Sequence, residues 1–384
     1  MSTRKRTWTS PNGEKKFAWQ ADYVDQAGKR HRETFRTKGE AEAFLLKAGH
    51  EVSAGIHTAS STSKTIGETG KLWLDHCEGE GLERATIGAY RQHLNLHIVP
   101  FIGAVKLSAF TAPMVSIFQK QLRDAGRSNA MIRKARVALG ALLNYGTVHG
   151  LVAQNVVYSL GRNKTVSSRT TTRLEVGVDI PSCDEIRAIH ASLQPGDRYR
   201  ALLTTAFFTG LRASELRGLR WVDVDLKRGE LAVRQRADRF NKIGAPKSKA
   251  GARTVPLMPM VVSVLREHKL ATPTNELDLV FPNSRGHIDH LNTIVSGWCA
   301  AQIAARVVDK DGNAKYSGLH SIRHFFASWC INRKADGGLE LPAKTVQVRC
   351  GHATIGITLD VYGHLFPSSD HGAEMIEAQS AWQR

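Results

Sequence analysis

Residues 319–324 read Leu-His-Ser-Ile-Arg-His and are the most informative stretch of the sequence. Upstream, residues 209–216 read Thr-Gly-Leu-Arg-Ala-Ser-Glu-Leu and supply a second arginine. Downstream, Gly-His at 351–352 precedes Leu-Asp-Val-Tyr-Gly-His at 359–364, so that Tyr362 follows the first of these histidines by ten residues. Arginines, histidines and a phenol in this order are groups that can attack a phosphodiester without a metal ion.

The length and the charge of the chain narrow the class of protein. At 384 residues it is long enough for two or three domains, and 42% of its residues are hydrophobic, which suffices for packed cores. The formal net charge of +18 predicts a polyanionic partner. Nucleic acid is the commonest such partner, and an anionic membrane surface is its rival.

The positive charge is unevenly distributed. Residues 125–174 contain no aspartate or glutamate, and repulsion from DNA phosphates would exclude carboxylates from a surface that faces DNA. The basic residues of this stretch are Arg127, Arg133, Lys134, Arg136, Arg162, Lys164, Arg169 and Arg173.

The cysteines and the apolar runs point to the cytoplasm. Five cysteines without a Cys-x-x-Cys pair support neither a disulfide framework nor a zinc knuckle, and we expect them to be reduced. The N-terminus has no apolar run typical of a signal peptide, and no stretch is long enough to span a bilayer. This weakens the membrane alternative and predicts a cytoplasmic, nucleoid-associated protein.

The first segment, residues 1–58, has the pattern of short strands followed by a helix. Aromatic residues alternate with polar ones, and Asn12-Gly13 is typical of a hairpin turn. Thr37 precedes an amphipathic helix. A sheet face placed in a DNA groove is one known docking mode, and a structural module with a solvated basic face is the alternative. The candidate DNA-binding residues are Arg4, Lys5, Arg6, Lys15, Lys16, Arg30 and Arg32.

Residues 64–162 read as an all-α helical bundle. Thr65 and Ser128 are placed to cap helices, the second of which runs to Val148. Between them we expect helices over 85–98, ending before Pro100, and over 113–122. The candidate DNA-binding residues of the bundle are Arg91, Arg133, Lys134 and Arg136.

Residues 163–177, rich in Ser, Thr and Arg, read as a basic linker in which Lys164 and Arg169 are further DNA-binding candidates. The rest, residues 178–384, predicts a mixed and mainly helical domain. Its strand candidates are 230–233 and 254–257, with Gly244 and Gly251 in the turn region between them.

The chemistry assigns a role to each polar group of the opening segments. Arg212 and Arg323 suit a phosphate clamp, because a guanidinium can grip two oxygens at once. His320 shares a helical face with Arg323, and His352 can donate to a phosphate oxygen or relay a proton. Lys249, or Lys247 beside it, would protonate a departing 5′-hydroxyl. Tyr362 would be the nucleophile, and its phenol, with an ordinary pKa of about 10, needs nearby cations or a base.

Two metal-dependent alternatives remain in the sequence. His320, His324 and His352 would supply zinc ligands, but no glutamate or cysteine lies beside them. Asp223 and Asp225 would hold Mg²⁺ if they shared a strand face, but they are more typical of a solvated turn. There is also no Gly-x-x-x-x-Gly-Lys-Ser/Thr phosphate loop. We therefore expect no metal and no cofactor.

These segments resemble the tyrosine recombinases, or phage integrases, whose motifs run Arg, Lys, His-x-x-Arg, Gly-His or Gly-Trp, then Tyr. The matching catalytic residues are Arg212, Lys249, His320, Arg323, His352 and Tyr362. Ser321, Ile322, Arg349 and Cys350 depart from the family pattern, but none is a matched catalytic position. The order and spacing of five elements make the match specific, and it covers the whole chain.

The resemblance implies a multidomain architecture. Residues 1–58 would be an arm-type DNA-binding domain, a small three-stranded β-sheet plus a helix. Residues 64–162 would be the core-site-binding domain, an all-α helical bundle. After the basic linker, residues 178–384 would be the mainly-α (α+β) catalytic domain of a tyrosine recombinase.

The resemblance also implies a mechanism and partners. Tyr362 would attack the scissile phosphate to give a 3′-phosphotyrosyl link and a free 5′-hydroxyl, storing the bond energy so that neither ATP nor metal is required. A homo-tetramer would exchange strands between double-stranded attachment sites, with core and arm sequences, through a Holliday junction. Residues 372–382 would pack on a neighbouring subunit. An excisionase or a DNA-bending accessory protein remains open as a further partner.

The leading function is therefore a site-specific integrase that integrates or excises a mobile genetic element. One alternative is a type IB topoisomerase that uses the same chemistry without partner exchange. Another is a DNA-binding regulator without catalysis. The N-terminal sheet argues against the topoisomerase, and the complete set of catalytic residue types argues against the regulator.

Overall fold

The computed structural model describes residues 1–26, 28–54, 57–159, 173–366 and 371–383. The chain forms two compact units, Met1–Val166 and Ser167–Arg384. The first unit contains both the predicted sheet segment and the predicted bundle. Lys164, Arg169 and most of the predicted linker lie outside the described residues.

The N-terminal segment is an antiparallel sheet covered by one helix, as predicted. The strands are β1 (Ser2–Thr9), β2 (Lys15–Val24) and β3 (Arg30–Phe35), in the order β1-β2-β3. Gly13, at φ 82°, takes the left-handed conformation that the first turn requires. Helix α1 (Lys38–Ser53) begins at Thr37, which forms a capping box with Glu40.

The second part of the first unit is helical. Its helices are α2 (Ile66–Gly79), α3 (Arg84–His93), α4 (Val99–Ile102), α5 (Ala112–Asp124), α6 (Asn129–Val148) and α7 (Val156–Ser159). Thr65 caps α2 in a capping box with Glu68, and Ser128 caps α6 by accepting the Met131 N–H. Trp73, Phe118 and Leu139 are buried between these helices.

The predicted helix end before Pro100 is wrong. After α3, residues Leu94–Ile98 form a π-helical turn that leads into α4, and Pro100 lies inside the first turn of α4. A proline is tolerated there because the N–H groups of a first turn have no acceptor within the helix. The rule that a proline ends a helix therefore does not apply to a proline in the first turn of the next helix.

The second unit is mainly helical with short strands. Its helices are α8 (Cys183–Ser192), α9 (Arg200–Thr209), α10 (Ala213–Arg217), α11 (Pro259–Ala271), α12 (Leu291–Ala304), α13 (His320–Ile331), α14 (Ala343–Cys350), α15 (Ile355–Tyr362) and α16 (His371–Trp382). Its strands are β4 (Val224–Asp225), β5 (Glu230–Val233), β6 (Arg236–Ala237), β7 (Ile243–Gly244) and β8 (Arg253–Pro256). The sheets are β4-β5-β8 and β6-β7.

The strand predictions for this unit hold with small shifts. The strand predicted over 230–233 is β5, and the one predicted over 254–257 is β8, which begins and ends one residue earlier. Gly244 belongs to β7, and Gly251 ends the short 3-10 turn Lys249–Gly251. Among the described residues no helix combines the length and the apolar character needed to cross a bilayer.

The end of α9 brings the arginine segments together. Gly210 ends α9 at φ 60°, and a Cβ atom there would lie 2.2 Å from the ring of Phe326 on α13. Only glycine therefore permits this conformation and this approach together. As a result, the chain that follows α9 is in contact with α13, and this places Arg212 close to Arg323.

Candidate active site

Arg323 is buried at the centre of the site, with 3% of its surface exposed. Its Nη1 donates to the Gly210 carbonyl at 2.6 Å, and its Nη2 donates to the Cys350 carbonyl. Burial lowers the pKa of Arg323 to about 10, so the guanidinium remains charged at neutral pH. The helix ends of α9 and α14 thus fix a buried cation on α13.

Arg212 is held by two partners from different parts of the unit. It precedes α10, and its Nη1 lies 2.7 Å from Glu215 Oε1. Its Nη2 donates to the carbonyl of Gly351 at 2.9 Å. The pairing with Glu215 that the sequence allowed is present, and the second contact brings Arg212 to the residue before His352.

Glu215 is a buried carboxylate shared by two arginines. Besides Arg212, it accepts from Arg253 Nη2 at 2.9 Å, and the side chains of Glu215 and Arg253 are each 3% exposed. Burial alone would raise the pKa of Glu215, but the charge and hydrogen bond of Arg253, together with contacts from Arg212, hold it below its ordinary value. The carboxylate therefore stays ionised between the two guanidinium groups.

The turn that carries the predicted lysine packs against the start of the Gly-His segment. Gly351 ends α14 at φ 63°, and a Cβ atom there would lie 2.9 Å from the carbonyl oxygen of Ala250. Lys249 and Lys247 are both exposed on this turn. The turn that carries both lysines is therefore next to the residue that precedes His352.

His352 and Tyr362 lie side by side. Their rings are nearly parallel, with centroids 6.2 Å apart and an interplanar angle of 11°. His352 Nδ1 lies 2.9 Å from Thr358 Oγ1. Burial, together with the charges of Arg323 and Arg212, lowers the pKa of His352 to about 4. The imidazole is therefore neutral at pH 7.

The Tyr362 hydroxyl is hydrogen-bonded to His324, for which the sequence suggested only a role as a zinc ligand. Its Oη lies 2.7 Å from His324 Nδ1. Tyr362 is 2% exposed, and burial raises its pKa above the ordinary value. Partial desolvation and the charges of Arg323 and Arg212 lower the pKa of the neighbouring His320.

The metal-dependent alternatives gain no support from this geometry. The expectation that Asp223 lies in a solvated turn was wrong, because its side chain is buried. It lies 3.2 Å from both Arg220 and Arg234. Asp225 instead caps the turn at Lys227 and Arg228 through backbone N–H groups. Within the described ranges, no three His, Cys, Asp or Glu residues are grouped as a metal site would require.

Comparison with known proteins gives the family. Residues 182–368 match the phage integrase family. Over 376 residues the chain is 26% identical to the tyrosine recombinase XerC-like protein of Caldanaerobacter subterraneus subsp. tengcongensis (strain DSM 15242 / JCM 11007 / NBRC 100824 / MB4), covering 91% of this chain and 92% of that protein. The chain is a tyrosine recombinase of the phage integrase family.

Two solved structures share the fold of this recombinase. The Tn1549 transposon integrase in complex with a circular intermediate DNA has a TM-score of 0.63 at 16% identity, covering 83% of this chain and 100% of that one. A lambda integrase tetramer bound to a Holliday junction has a TM-score of 0.56 at 16% identity, covering 91% of this chain and 95% of that one. The multidomain layout, with an N-terminal sheet and mainly helical remainder, is consistent with both.

The strand register of the recombinase separates two faces of its N-terminal sheet. Tyr23 and Phe35 contact Phe44 of α1 with ring centroids 5.5 and 5.0 Å apart, so α1 covers their face. Because side chains alternate along a strand, the register assigns each predicted basic residue to one face. The open face carries Arg4, Arg6, Lys16, Arg30 and Arg32, whereas Lys5 and Lys15 alternate onto the side of α1.

Asp22 and Gln20 hold arginine side chains of the open face in place. Asp22 accepts from Arg30 Nε at 2.6 Å, and Arg32 Nε lies 3.7 Å away. The hydrogen bonds from Arg30, and its charge, lower the pKa of Asp22 against the opposing effect of burial. Arg4 Nε donates to Gln20 at 2.9 Å on the same face. The open face therefore presents arginine side chains whose positions are fixed by neighbouring polar groups.

The candidate DNA-binding residues of the bundle differ in solvent exposure and in the contacts they already make. Arg133 and Lys134 are exposed on α6. Arg136 is half-buried, and its Nη2 lies 3.5 Å from the Val157 carbonyl. Arg91 pairs with Glu78 on the surface.

Proposed function

We propose that this recombinase integrates or excises a mobile genetic element by cutting and rejoining DNA through a 3′-phosphotyrosyl intermediate. The observation that carries the proposal is the grouping of Arg212 and Arg323 on the carbonyls at the end of α14, next to His352, with two histidines in contact with the buried Tyr362. The Tn1549 integrase structure contains a circular intermediate DNA, which supports the same substrate class for this chain.

The arginines and His352 supply the phosphate site. A guanidinium has five N–H donors, so Arg212 and Arg323 retain donors beyond those used on backbone carbonyls. Neutral His352 can accept a hydrogen bond from the Thr358 hydroxyl at Nδ1, which leaves Nε2–H to donate to a phosphate oxygen. These fixed donors would stabilise the additional negative charge of a five-coordinate phosphorus.

The remaining roles fall to the tyrosine and the turn lysines. Tyr362 attacks phosphorus, and Lys249, with Lys247 as the alternative, protonates the departing 5′-oxygen. The position of this turn beside Gly351 supports that assignment. His320, on the same helix as Arg323, would add a phosphate contact.

The first unit would select the DNA site. The open arginine face of the N-terminal sheet would bind arm-type sequences, and the bundle, through Arg133 and Lys134 of α6, core-type sequences. The lambda integrase structure is a tetramer on a Holliday junction, which supports a homo-tetramer for this chain. Met375, Ile376 and Trp382 of α16 are 73%, 69% and 93% exposed, and would pack on a neighbouring protomer.

Tyr362→Phe provides the direct test. The variant should form no covalent protein–DNA adduct with a nicked duplex of the element's own end sequence, while binding that duplex with nearly unchanged affinity. Adducts at the wild-type level would remove Tyr362 as the nucleophile. A parallel reaction in excess EDTA should proceed normally, since fixed side chains carry the phosphate site; loss of cleavage there would favour the Asp223 and Asp225 alternative.

A further inference from the structure

The motif of the family assigns no role to His324, yet His324 contacts the reacting atom itself, with Nδ1 2.7 Å from Tyr362 Oη. We propose that His324 is a catalytic residue whose Nδ1 accepts the phenol proton as Tyr362 attacks phosphorus. The inference rests on the proposed function, because it assigns the base for the same nucleophile.

The fold holds this imidazole in a defined position. His324 lies one turn after His320 on α13, and their rings meet edge to face with centroids 4.6 Å apart and an interplanar angle of 84°. The Tyr362 ring lies 5.7 Å away at 58°. Contacts with both rings limit the rotation of His324, and Nδ1 lies within hydrogen-bond distance of Oη.

The protonation states fit a donor phenol and an acceptor imidazole. Burial lowers the pKa of His324 to about 4, and the charges of His320 and Arg323 act in the same direction while Asp179 opposes them. Neutral imidazole can therefore present a lone pair at Nδ1. Burial also raises the pKa of Tyr362, so the phenol stays protonated until a base takes its proton.

The two histidines of the motif are engaged elsewhere. His352 Nδ1 lies 2.9 Å from Thr358 Oγ1, and its contact with Tyr362 is one between nearly parallel rings. His320 contacts the ring of His324. His324 is the histidine whose nitrogen reaches the phenol.

The atoms balance in both directions. In cleavage, the Oη–H bond breaks and its proton goes to His324 Nδ1; the Oη–P bond forms, the P–O5′ bond breaks, and O5′ takes a proton from Lys249 or Lys247. In ligation, a 5′-hydroxyl returns its proton to the lysine as O5′ attacks phosphorus; the O5′–P bond forms, the Oη–P bond breaks, and Nδ1–H returns its proton to Oη. A bound phosphodiester is negative and favours protonated imidazole, so substrate binding makes His324 a stronger base.

Two substitutions separate a base from a simple hydrogen-bond partner. His324→Asn places an amide oxygen where Nδ1 stood, which keeps an acceptor but removes the basic nitrogen; His324→Ala removes both. In single-turnover cleavage of the nicked duplex, we expect both full-length variants to lose about 10²-fold in adduct formation. Their DNA affinity and thermal unfolding should stay near wild type. A wild-type rate for His324→Asn would overturn the proposal.

Chemical rescue gives a second, independent readout. Replacing Tyr362 with 3,5-difluorotyrosine lowers the pKa of the phenol, and should restore most of the rate lost in His324→Ala; absence of rescue would overturn the proposal. A 5′-bridging phosphorothiolate, whose sulfur leaves without a proton, should rescue substitution of the turn lysine but not His324→Asn. Rescue of His324→Asn by that substrate would make His324 the acid for the leaving group, and also contradict the proposal.

Failure of the proposed function can be distinguished from failure of the role proposed for His324. Adduct formation by Tyr362→Phe overturns the assignment of the nucleophile and, with it, this inference. An inactive Tyr362→Phe beside a fully active His324→Asn overturns only the role of His324. His190→Asn, at a half-buried histidine of α8 in the same unit, is the matched control and should cleave at the wild-type rate.

Discussion

At the scale of the residue, a single buried carboxylate organises the cations of the site. Arg212 and Arg253 both contact Glu215, and Arg212 also reaches the Gly351 carbonyl. Two guanidinium groups without an anion between them would repel each other in a medium of low dielectric. Glu215 therefore holds Arg212 in the position that the proposed phosphate site requires before DNA arrives.

Glu215→Gln tests this role. Removing one partner of a buried ion pair costs about 3–5 kcal/mol, because the remaining charge is left without compensation. We expect a marked fall in the free energy of unfolding of the recombinase, together with slower adduct formation. Glu230→Gln removes the same charge from an exposed pair, 3.8 Å from Arg228, and should change stability little. Equal effects of both substitutions would contradict the buried role.

The stability difference should also depend on pH in a defined direction. The pKa of Glu215 is held below its ordinary value of 4.5 in the folded protein, so its contribution is complete above pH 4.5 and is lost as the pH falls through the lower folded value. Unfolding of the wild type and Glu215→Gln, compared by denaturant titration, should differ by a constant amount from pH 7 to pH 5. A difference that grows on acidification would contradict this sign.

The sequence predicted which residues lie together in the candidate site, but not the contacts among them. Arg212, His320, Arg323, His352 and Tyr362 lie in one unit, and four of them are linked directly or through a shared carbonyl segment. The Arg253–Glu215 pair and the His324–Tyr362 bond join positions 38 residues apart in the chain. No short-range pattern reports such pairs; the only signal for His324 was its helical spacing from His320.

At the scale of the element, the end of α14 joins three parts of the site. Gly351 takes φ 63°, and its backbone lies against Arg253 and Ala250. Its carbonyl accepts from Arg212, and the preceding carbonyl, of Cys350, accepts from Arg323. A helix terminus has carbonyls without partners in the helix, and here the arginines satisfy them.

Gly351→Ala should disrupt this junction. A Cβ atom would lie 2.8 Å from Arg253 Nη1 and 2.9 Å from the Ala250 carbonyl oxygen, in addition to the strain of a left-handed alanine, which costs roughly 1–2 kcal/mol. Gly312→Ala, at φ 80° with no atom within 4 Å of its Cβ, carries that strain alone. Thermal unfolding and adduct formation should both suffer more in Gly351→Ala; similar losses in the two variants would contradict the packing argument.

Elements with strong local signals were predictable, and those set by tertiary packing were not. Thr37, Thr65 and Ser128 cap helices as expected, because a capping side chain and its backbone partner are three residues apart. The π-helical turn before Pro100 has no such local signal. The strands β6 and β7 are only two residues long, too short for an alternating pattern to appear.

At the scale of the whole molecule, the chain has a net charge of +18, and the first unit presents two groups of its basic side chains on described surfaces. On the sheet, the open face gathers arginines that Asp22 and Gln20 hold in position. In the bundle, α6 adds exposed Arg133 and Lys134. Phosphate contacts from separate surfaces add to the salt dependence of binding, since each contributes roughly 0.9 to the slope of log affinity against log salt.

Removing residues 1–58 should separate site selection from chemistry. The structure supports a cut at this position: His57 belongs with the sheet segment, bonded to Tyr23 and Glu51 at 2.9 and 2.8 Å. Beyond the cut, Ser63 Oγ accepts the Ser108 N–H at 3.0 Å and the Ser60 carbonyl accepts from Lys106 at 2.6 Å, so these residues belong with the bundle.

The truncated protein, residues 59–384, should cleave a core-site suicide duplex at close to the wild-type rate, because it retains the bundle and the whole second unit. It should fail to complete recombination that depends on arm sites, and its salt slope on full attachment DNA should fall by roughly 0.9 for each arm-site phosphate that the sheet no longer neutralises. Removal of residues 1–63 is the matched control, since it also deletes the hydrogen bonds of Ser60 and Ser63 and should lower the melting temperature of the bundle. If the folded 59–384 protein could not cleave the core site, the sheet would be part of the catalytic machinery, and the assignment of residues 1–58 to site selection would be wrong.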